Sequence, residues 1–259
     1  MDNALFAEER RDKIVDFINE KQRVTSLQLC NEFSVSSATI RNDLRELDDK
    51  GLILRTHGGA MKKNEKQSNV YNDDNTSSEL KSKQIIAKLT LSQIHDGDTI
   101  IIDSGTTVYE VAKLLRTKKN ITVVTNDLKV ASLVESYPSC EILMIGGMIR
   151  KGYHCTTPET TEAFDTLTID VAIMGATAFS LKKGASTPNY LHATLKKKMI
   201  ANSNKVILVA DHTKLDKDSF KVFAPATAID LLITDKISPK LLKEYKLADI
   251  NVLTAEEEN

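Results

Sequence analysis

The stretch from Thr25 to Ala60 constrains the fold more tightly than any other part of this chain. Thr25 can cap a helix, and Gln28 three positions on completes a capping box, the mark of a helix start. Leu27, Cys30 and Phe33, with Leu29, supply apolar positions at helical spacing. Ser34-Val35-Ser36 breaks the pattern, and Ser36 is placed to cap a second helix running to Lys50. Ile40, Leu44 and Leu47 form one apolar stripe on that helix, and Gly51 stands where a helix stops. Ser37, Thr39, Arg41, Asn42 and Arg45 are left on or beside the other face. Side chains of these types reach base edges and phosphates, and a short second helix with a polar N-terminal face suits the major groove.

Small amphipathic helices also build protein-interaction modules, and charge does not separate the two readings. Basic and acidic residues balance between Met1 and Lys63. The positive charge is local: Arg41, Arg45, Lys50, Arg55, Lys62 and Lys63 face only Asp43, Glu46, Asp48 and Asp49. Leu52 to Ala60 adds a strand that turns at Gly58-Gly59, which suits the wing of a winged helix, with Arg55 and His57 alternating along it towards a phosphate backbone. Ahead of these elements, Glu8 to Gln22 predicts a first helix with Ile14, Phe17 and Ile18 on its buried face.

Val35-Ser36-Ser37-Ala38-Thr39-Ile40-Arg41-Asn42-Asp43-Leu44, followed by Gly51-Leu52-Ile53-Leu54-Arg55-Thr56-His57-Gly58-Gly59-Ala60, resembles the N-terminal domain of the DeoR family of bacterial transcriptional regulators. Asn42 stands where that family usually has a second arginine.

The 259 residues suit one small and one large domain, with 41% hydrophobic residues and a net charge of -1. No apolar run reaches membrane-spanning length, and Met1 to Arg11 is charged, so neither a membrane partner nor a signal peptide is expected, and the expected location is the cytoplasm. Cys30, Cys140 and Cys155 are scattered without metal or redox spacing and read as buried or idle thiols. Neither a metal site nor a cofactor is expected.

The expected organisation is a winged helix-turn-helix over residues 1–60, a polar linker over 61–78 and an α/β sensor domain over 79–259. From Glu79 onward the pattern alternates helix and strand. Short apolar runs at Thr99 to Ile102, Ile121 to Val124, Glu141 to Ile145, Asp170 to Met174, Lys205 to Val209, Leu231 to Ile233 and Asn251 to Leu253 predict strands covered on both faces. Helices are expected over Glu79 to Ile94, from Thr106, over Asp127 to Ser136, and over Tyr190 to Ala201. The fold class is therefore α/β, an open, mostly parallel sheet.

In such sheets ligands sit beyond the carboxyl ends of the strands. Those ends are Asp103-Ser104-Gly105-Thr106-Thr107, Thr125-Asn126, Gly146-Gly147, Gly175-Ala176, and Asp211 with Lys214. Ser104 to Thr107, a glycine among hydroxyl residues at a strand-to-helix turn, offers backbone N–H groups and a helix N-terminus to a phosphate. Glycines there are also ordinary turn punctuation, and the hydroxyls can serve only as caps. Lys196 and Lys214 can pair a phosphate, and of Lys196-Lys197-Lys198 at most one points into the cleft. Asp103 and Asp211 either hold sugar hydroxyls or simply end their strands.

These strand ends, together with Ile229-Asp230-Leu231-Leu232-Ile233-Thr234-Asp235, resemble the C-terminal sensor of the same family, which is similar in fold to ribose-5-phosphate isomerase. The resemblance implies a repressor that binds double-stranded operator DNA as a homo-oligomer, dimer or tetramer, and is released by a phosphorylated sugar. The chain departs from the family at Thr177 and His192, where acidic residues are usual, and at Thr157, where glycine is usual. The alternative is an isomerase-like enzyme on sugar phosphates, with Asp103 or Asp211 as base and Lys196 as electrophile.

Overall fold

A computed structural model describes residues 7–21, 23–49, 52–56, 58–62, 77–150, 153–158 and 162–255. The chain divides into two compact units, Met1–Asn69 and Val70–Asn259.

The first unit runs α1 (Ala7–Lys21), β1 (Arg23–Thr25), α2 (Ser26–Phe33), α3 (Ser37–Asp49), β2 (Ile53–Thr56) and β3 (Gly59–Lys62). The capping box at α2 is present: Gln28 N–H donates to Thr25 Oγ1 at 3.2 Å and Thr25 N–H to Gln28 Oε1 at 2.8 Å. Ser34, in the left-handed region at φ 52°, closes α2, and Ser36 Oγ accepts from Thr39 N–H at 3.2 Å to start α3. Ile14, Ile18, Leu29, Ile40, Leu44 and Leu47 are buried together with Val24, Ile53 and Ala60. Each buried Val, Leu or Ile among them adds roughly 1.5–3 kcal/mol through burial.

Leu27 departs from expectation. It is 71% exposed, because an eight-residue helix buries one narrow stripe and Leu29 occupies it. The wing is a three-stranded antiparallel sheet in the order β1-β3-β2. Gly59 is needed where β3 passes β1, since a Cβ there would meet the Val24 carbonyl oxygen at 2.0 Å. Met61 and Lys62, expected in the linker, belong to β3, where Met61 pairs with both Arg23 and Leu54. Residues 63–76 of that linker lie outside the described residues.

The second unit carries α4 (Ser77–Leu91), β4 (Thr99–Ile102), α5 (Thr106–Leu114), β5 (Ile121–Thr125), α6 (Leu128–Val134), β6 (Cys140–Met144), β7 (Met148–Arg150) and β8 (Cys155–Thr157). It continues with β9 (Ile169–Gly175), β10 (Ala178–Ser180), β11 (Gly184–Thr187), α7 (Tyr190–Ala201), β12 (Ser203–Val209), β13 (Lys221–Ala224), β14 (Leu231–Thr234), α8 (Pro239–Leu247) and β15 (Val252–Thr254). Seven parallel strands form the main sheet in the order β15-β14-β12-β9-β4-β5-β6. Successive residues of the central strands β4 and β9 feed opposite cores: Ile100, Ile102, Val171 and Ile173 pack with α4, α5 and α6, while Ile101, Ala172 and Met174 pack on the other face with α7 residues and Phe179. That two-sided burial explains the unbroken apolar runs.

The direction of strand addition reverses between β4 and β9. Their carboxyl ends therefore open the crevice in which sheets of this kind hold ligands.

Candidate nucleic-acid interface and effector cleft

In the first unit, α3 buries Ile40, Leu44 and Leu47 and leaves Ser37, Arg41, Asn42 and Arg45 exposed, with Thr39 half-buried. Ser37, Arg41 and Arg45 recur every fourth residue and so share one face. Arg41 lies back along the first turn, donating from Nε to the Ser37 carbonyl at 3.1 Å and from a terminal nitrogen to Ser37 Oγ at 3.3 Å. A cation gains nothing from a helix N-terminus, so this exposed contact gives way readily to a stronger acceptor. Arg55 lies in β2 opposite Ala60, with its side chain outside the described residues, as is the whole of His57.

Sequence reasoning missed what holds α3 in place. Asp43, 2% exposed, accepts from Arg10 Nε at 2.7 Å and Arg11 Nε at 3.0 Å, and Arg11 also pairs with Glu46. The Asp43 bond, opposed by burial and helped by Glu46, raises the Arg11 pKa. Two arginines of α1 thus clamp the reading helix through one carboxylate, 32 and 33 residues away.

In the second unit the cleft at the β4 and β9 ends is built around Asp103. Its Oδ2 accepts from Gly175 N–H at 2.9 Å and from Lys196 Nζ, and the same ammonium donates to the Gly175 carbonyl at 3.0 Å. Lys196 is the one lysine of its run turned inward; Lys197 is exposed and Lys198 pairs with Asp165. Beside this pair Gly105 caps α5, and Ser104 to Thr107 are half-buried at its start.

The neighbouring strand ends are closed by local bonds. Thr125 Oγ1 accepts from Asp127 N–H at 3.1 Å, and Asp127 caps α6. Asn126 is 2% exposed; its Nδ2 donates to the Thr156 carbonyl at 2.8 Å, while its Oδ1 has no hydrogen-bond donor among the described residues. Gly146 and Gly147 are exposed and lead into the β7–β8 hairpin. At Gly147, φ is 132° and a Cβ would meet the Thr157 carbonyl oxygen at 2.3 Å, so hairpin closure accounts for this glycine. Asp211 caps the turn over His212–Lys214, accepting from Thr213 N–H at 2.9 Å, and Lys214 is half-buried there.

Four further residues line the cleft edge that residue patterns did not single out as binding groups. Cys155 is fully buried, and burial pushes its thiol up to about 11 against a hydrogen bond with Ser104. His192 Nε2 is 3.5 Å from Cys155 Sγ. Burial, then the charges of Arg150 and Lys196, hold the imidazole down to about 4, so it is neutral at pH 7. Arg150 reaches both ring nitrogens of His192 at 3.5 Å and stacks on Tyr153, 3.4 Å from its centroid. No sequence signal joins these residues, because His192 lies 37 and 42 positions from its partners.

A winged helix-turn-helix with an exposed polar reading helix, carried in one chain with a parallel α/β sheet open at its switch point, defines a DNA-binding regulator with a sensor domain. Residues 10–66 match the DeoR-like helix-turn-helix domain and residues 78–236 the DeoR C terminal sensor domain. The chain is 35% identical over 236 residues to the HTH-type transcriptional repressor GlcR of Bacillus subtilis, covering 90% of each. It is 31% identical to the glycerol-3-phosphate regulon repressor of Escherichia coli, over 89% of this chain and 92% of that one. Ribose 5-phosphate isomerase A of Methanocaldococcus jannaschii aligns with 51% of this chain and 53% of its own, at 16% identity and a TM-score of 0.38.

The chain belongs to the DeoR family of transcriptional regulators. Like the relatives named above, it is a DNA-binding transcriptional regulator rather than an enzyme. No helix among the described residues is long and apolar enough to cross a membrane.

Proposed function

We propose that this regulator is a repressor of sugar-metabolism genes, released from its operator by a phosphorylated sugar at the sensor strand ends. One observation carries the effector half: Asp103, Gly175 and Lys196 converge at the switch point beside the N-terminus of α5. The phosphate sits on the N–H groups and hydroxyls of Ser104 to Thr107, with Lys196 turned towards it. Asn126 Oδ1, a buried acceptor without a donor, takes a sugar hydroxyl; such an atom costs about 1–3 kcal/mol when left unmade. Gly175, Asp211 and Lys214 complete the rim, with Gly146 and Gly147 at its outer end, while Thr125, fully buried and bonded to Asp127, stays behind it.

On the DNA side, Ser37, Thr39, Arg41 and Asn42 read base edges, while Arg45, Arg55 and His57 rest on phosphates. One short helix reads few base pairs, so the protein acts as a dimer or tetramer on a repeated site in the cytoplasm. Support for a second copy comes from β6, the last strand of the sheet, which exposes Leu143, and from the following hairpin, which exposes Met148 and Ile149. The names of the relatives, a repressor GlcR and a glycerol-3-phosphate regulon repressor, agree with this reading.

Fluorescence anisotropy on a labelled fragment from upstream of its own gene, with a panel of sugar phosphates, tests both halves. Salt-sensitive specific binding reversed by one compound class is the expected result. No binding at low salt overturns the DNA half, and binding that no sugar phosphate reverses overturns the effector half.

A further inference from the structure

The charges around the cleft do not cancel. The carboxylate of Asp103 is satisfied by Lys196 and by Gly175 N–H. Asp127 is committed to the first turn of α6. Neither Thr177 nor His192 brings a negative charge to this edge. Arg150 is therefore a half-buried cation with no carboxylate partner among the described residues. Its guanidinium lies over the Tyr153 ring and reaches His192 through one terminal nitrogen, which leaves Nε and the other terminal nitrogen, a pair that can grip a carboxylate in bidentate fashion, for another molecule.

Arg150 is also tied to the phosphate end. Ser104 lies beside Cys155, Cys155 lies 3.5 Å from His192, and His192 lies 3.5 Å from Arg150. Three consecutive contacts thus run from the start of α5 to the guanidinium. Two side chains, Cys155 and His192, separate a site for one anion from a site for another.

We propose that the effector is a phosphorylated sugar acid, a molecule with a carboxylate as well as a phosphate, and that Arg150 takes the carboxylate. The inference rests on the strand-end phosphate site proposed above and adds a second anion subsite to it. The neutral imidazole of His192 forms the wall between the two and adds no competing charge. A plain sugar phosphate fills one end only and leaves Arg150 without a counter-ion.

Calorimetric titration of the full chain with matched pairs tests the proposal: glucose 6-phosphate against 6-phosphogluconate, and ribose 5-phosphate against 5-phosphoribonate. In any pair that binds, the acid is expected to bind roughly tenfold or more tightly than the sugar. Arg150→Gln should abolish that preference and leave the sugar phosphate within about twofold. Arg150→Lys, which keeps the charge without the fork, should retain part of it and guards against a folding defect in the glutamine variant.

Equal affinities for both members in the wild type overturn the proposal and leave the phosphate site standing. Equal weakening of both members by Arg150→Gln overturns it too, because Arg150 is then a phosphate ligand. No binding of any member, with no protection by inorganic phosphate, removes the phosphate site and the proposal together.

Discussion

Lys196 is bonded to Asp103 with only 7% and 2% of the two side chains exposed, across 93 residues of sequence. The pair fastens α7 to the end of β4 at the point where the sheet reverses. Removing one partner of a buried ion pair leaves the other uncompensated, at a cost of about 3–5 kcal/mol, whereas replacing both with matched apolar groups is often nearly neutral. Lys196→Met should therefore lower the stability of the sensor unit by that amount, and Asp103→Leu with Lys196→Met should recover much of it. Chemical denaturation of the three variants checks this. A single variant as stable as wild type would show that the contact contributes nothing.

His192 gives the sensor a pH dependence whose sign is fixed by its environment. Its folded pKa is about 4, below the ordinary value of 6.5, so between these two the unfolded chain binds the proton and the folded one does not. Stability from this group is fully present above pH 6.5 and is lost as pH falls towards 4, at up to about 1.4 kcal/mol per pH unit. Melting curves of wild type and His192→Asn should converge on acidification through that window. Parallel curves would mean that the imidazole is solvated.

Arg41→Ala should weaken operator binding by about 1–3 kcal/mol and relax sequence choice at one position, if Arg41 contacts a base. Competition binding with single-base operator variants reads this directly. Equal losses on operator and random DNA would move Arg41 to the phosphate backbone.

Asp43→Ala should loosen α3 without touching its reading face. Charged hydrogen bonds of this kind contribute about 1.5–3 kcal/mol, and both Arg10 and Arg11 lose their shared acceptor. Lower stability of the N-terminal unit is expected, with weaker DNA binding that cooling partly restores. Unchanged thermal unfolding would assign the clamp no structural role.

Much of this was legible in the sequence because it is local. The Thr25–Gln28 box, the Ser36 cap and the buried stripe of α3 depend on residues three or four apart. Continuous apolar runs at β4, β9 and β12 follow from burial on both faces. Three-residue strands such as β1, β8 and β10 carry no periodicity, and their pairing is set by distant partners, so they escaped notice. The helix α8 has a readable start, with Ser238 as cap and Pro239 in its first turn, but at nine residues it offers only a short apolar pattern. Leu27 was misplaced because a two-turn helix has too few residues to reveal which stripe is buried. The contacts of Asp43 with α1, and of Arg150 with His192, exist only once distant elements pack.

In the proposed switch, effector at the strand-end cleft and operator on α3 oppose each other. Thr106→Asp places a negative charge at the start of α5, against the proposed phosphate position. It should abolish the effector response while leaving operator affinity intact. The direct measurement is operator affinity at zero and at saturating effector, for the wild type and for Thr106→Asp. The wild type should lose at least fivefold in operator affinity, equal to the factor by which bound operator weakens the effector, since the coupling is reciprocal; an equilibrium coupling of about 1 kcal/mol or more gives that ratio. Operator affinity that does not change with effector, or a Thr106→Asp variant released as readily as wild type, would contradict the account.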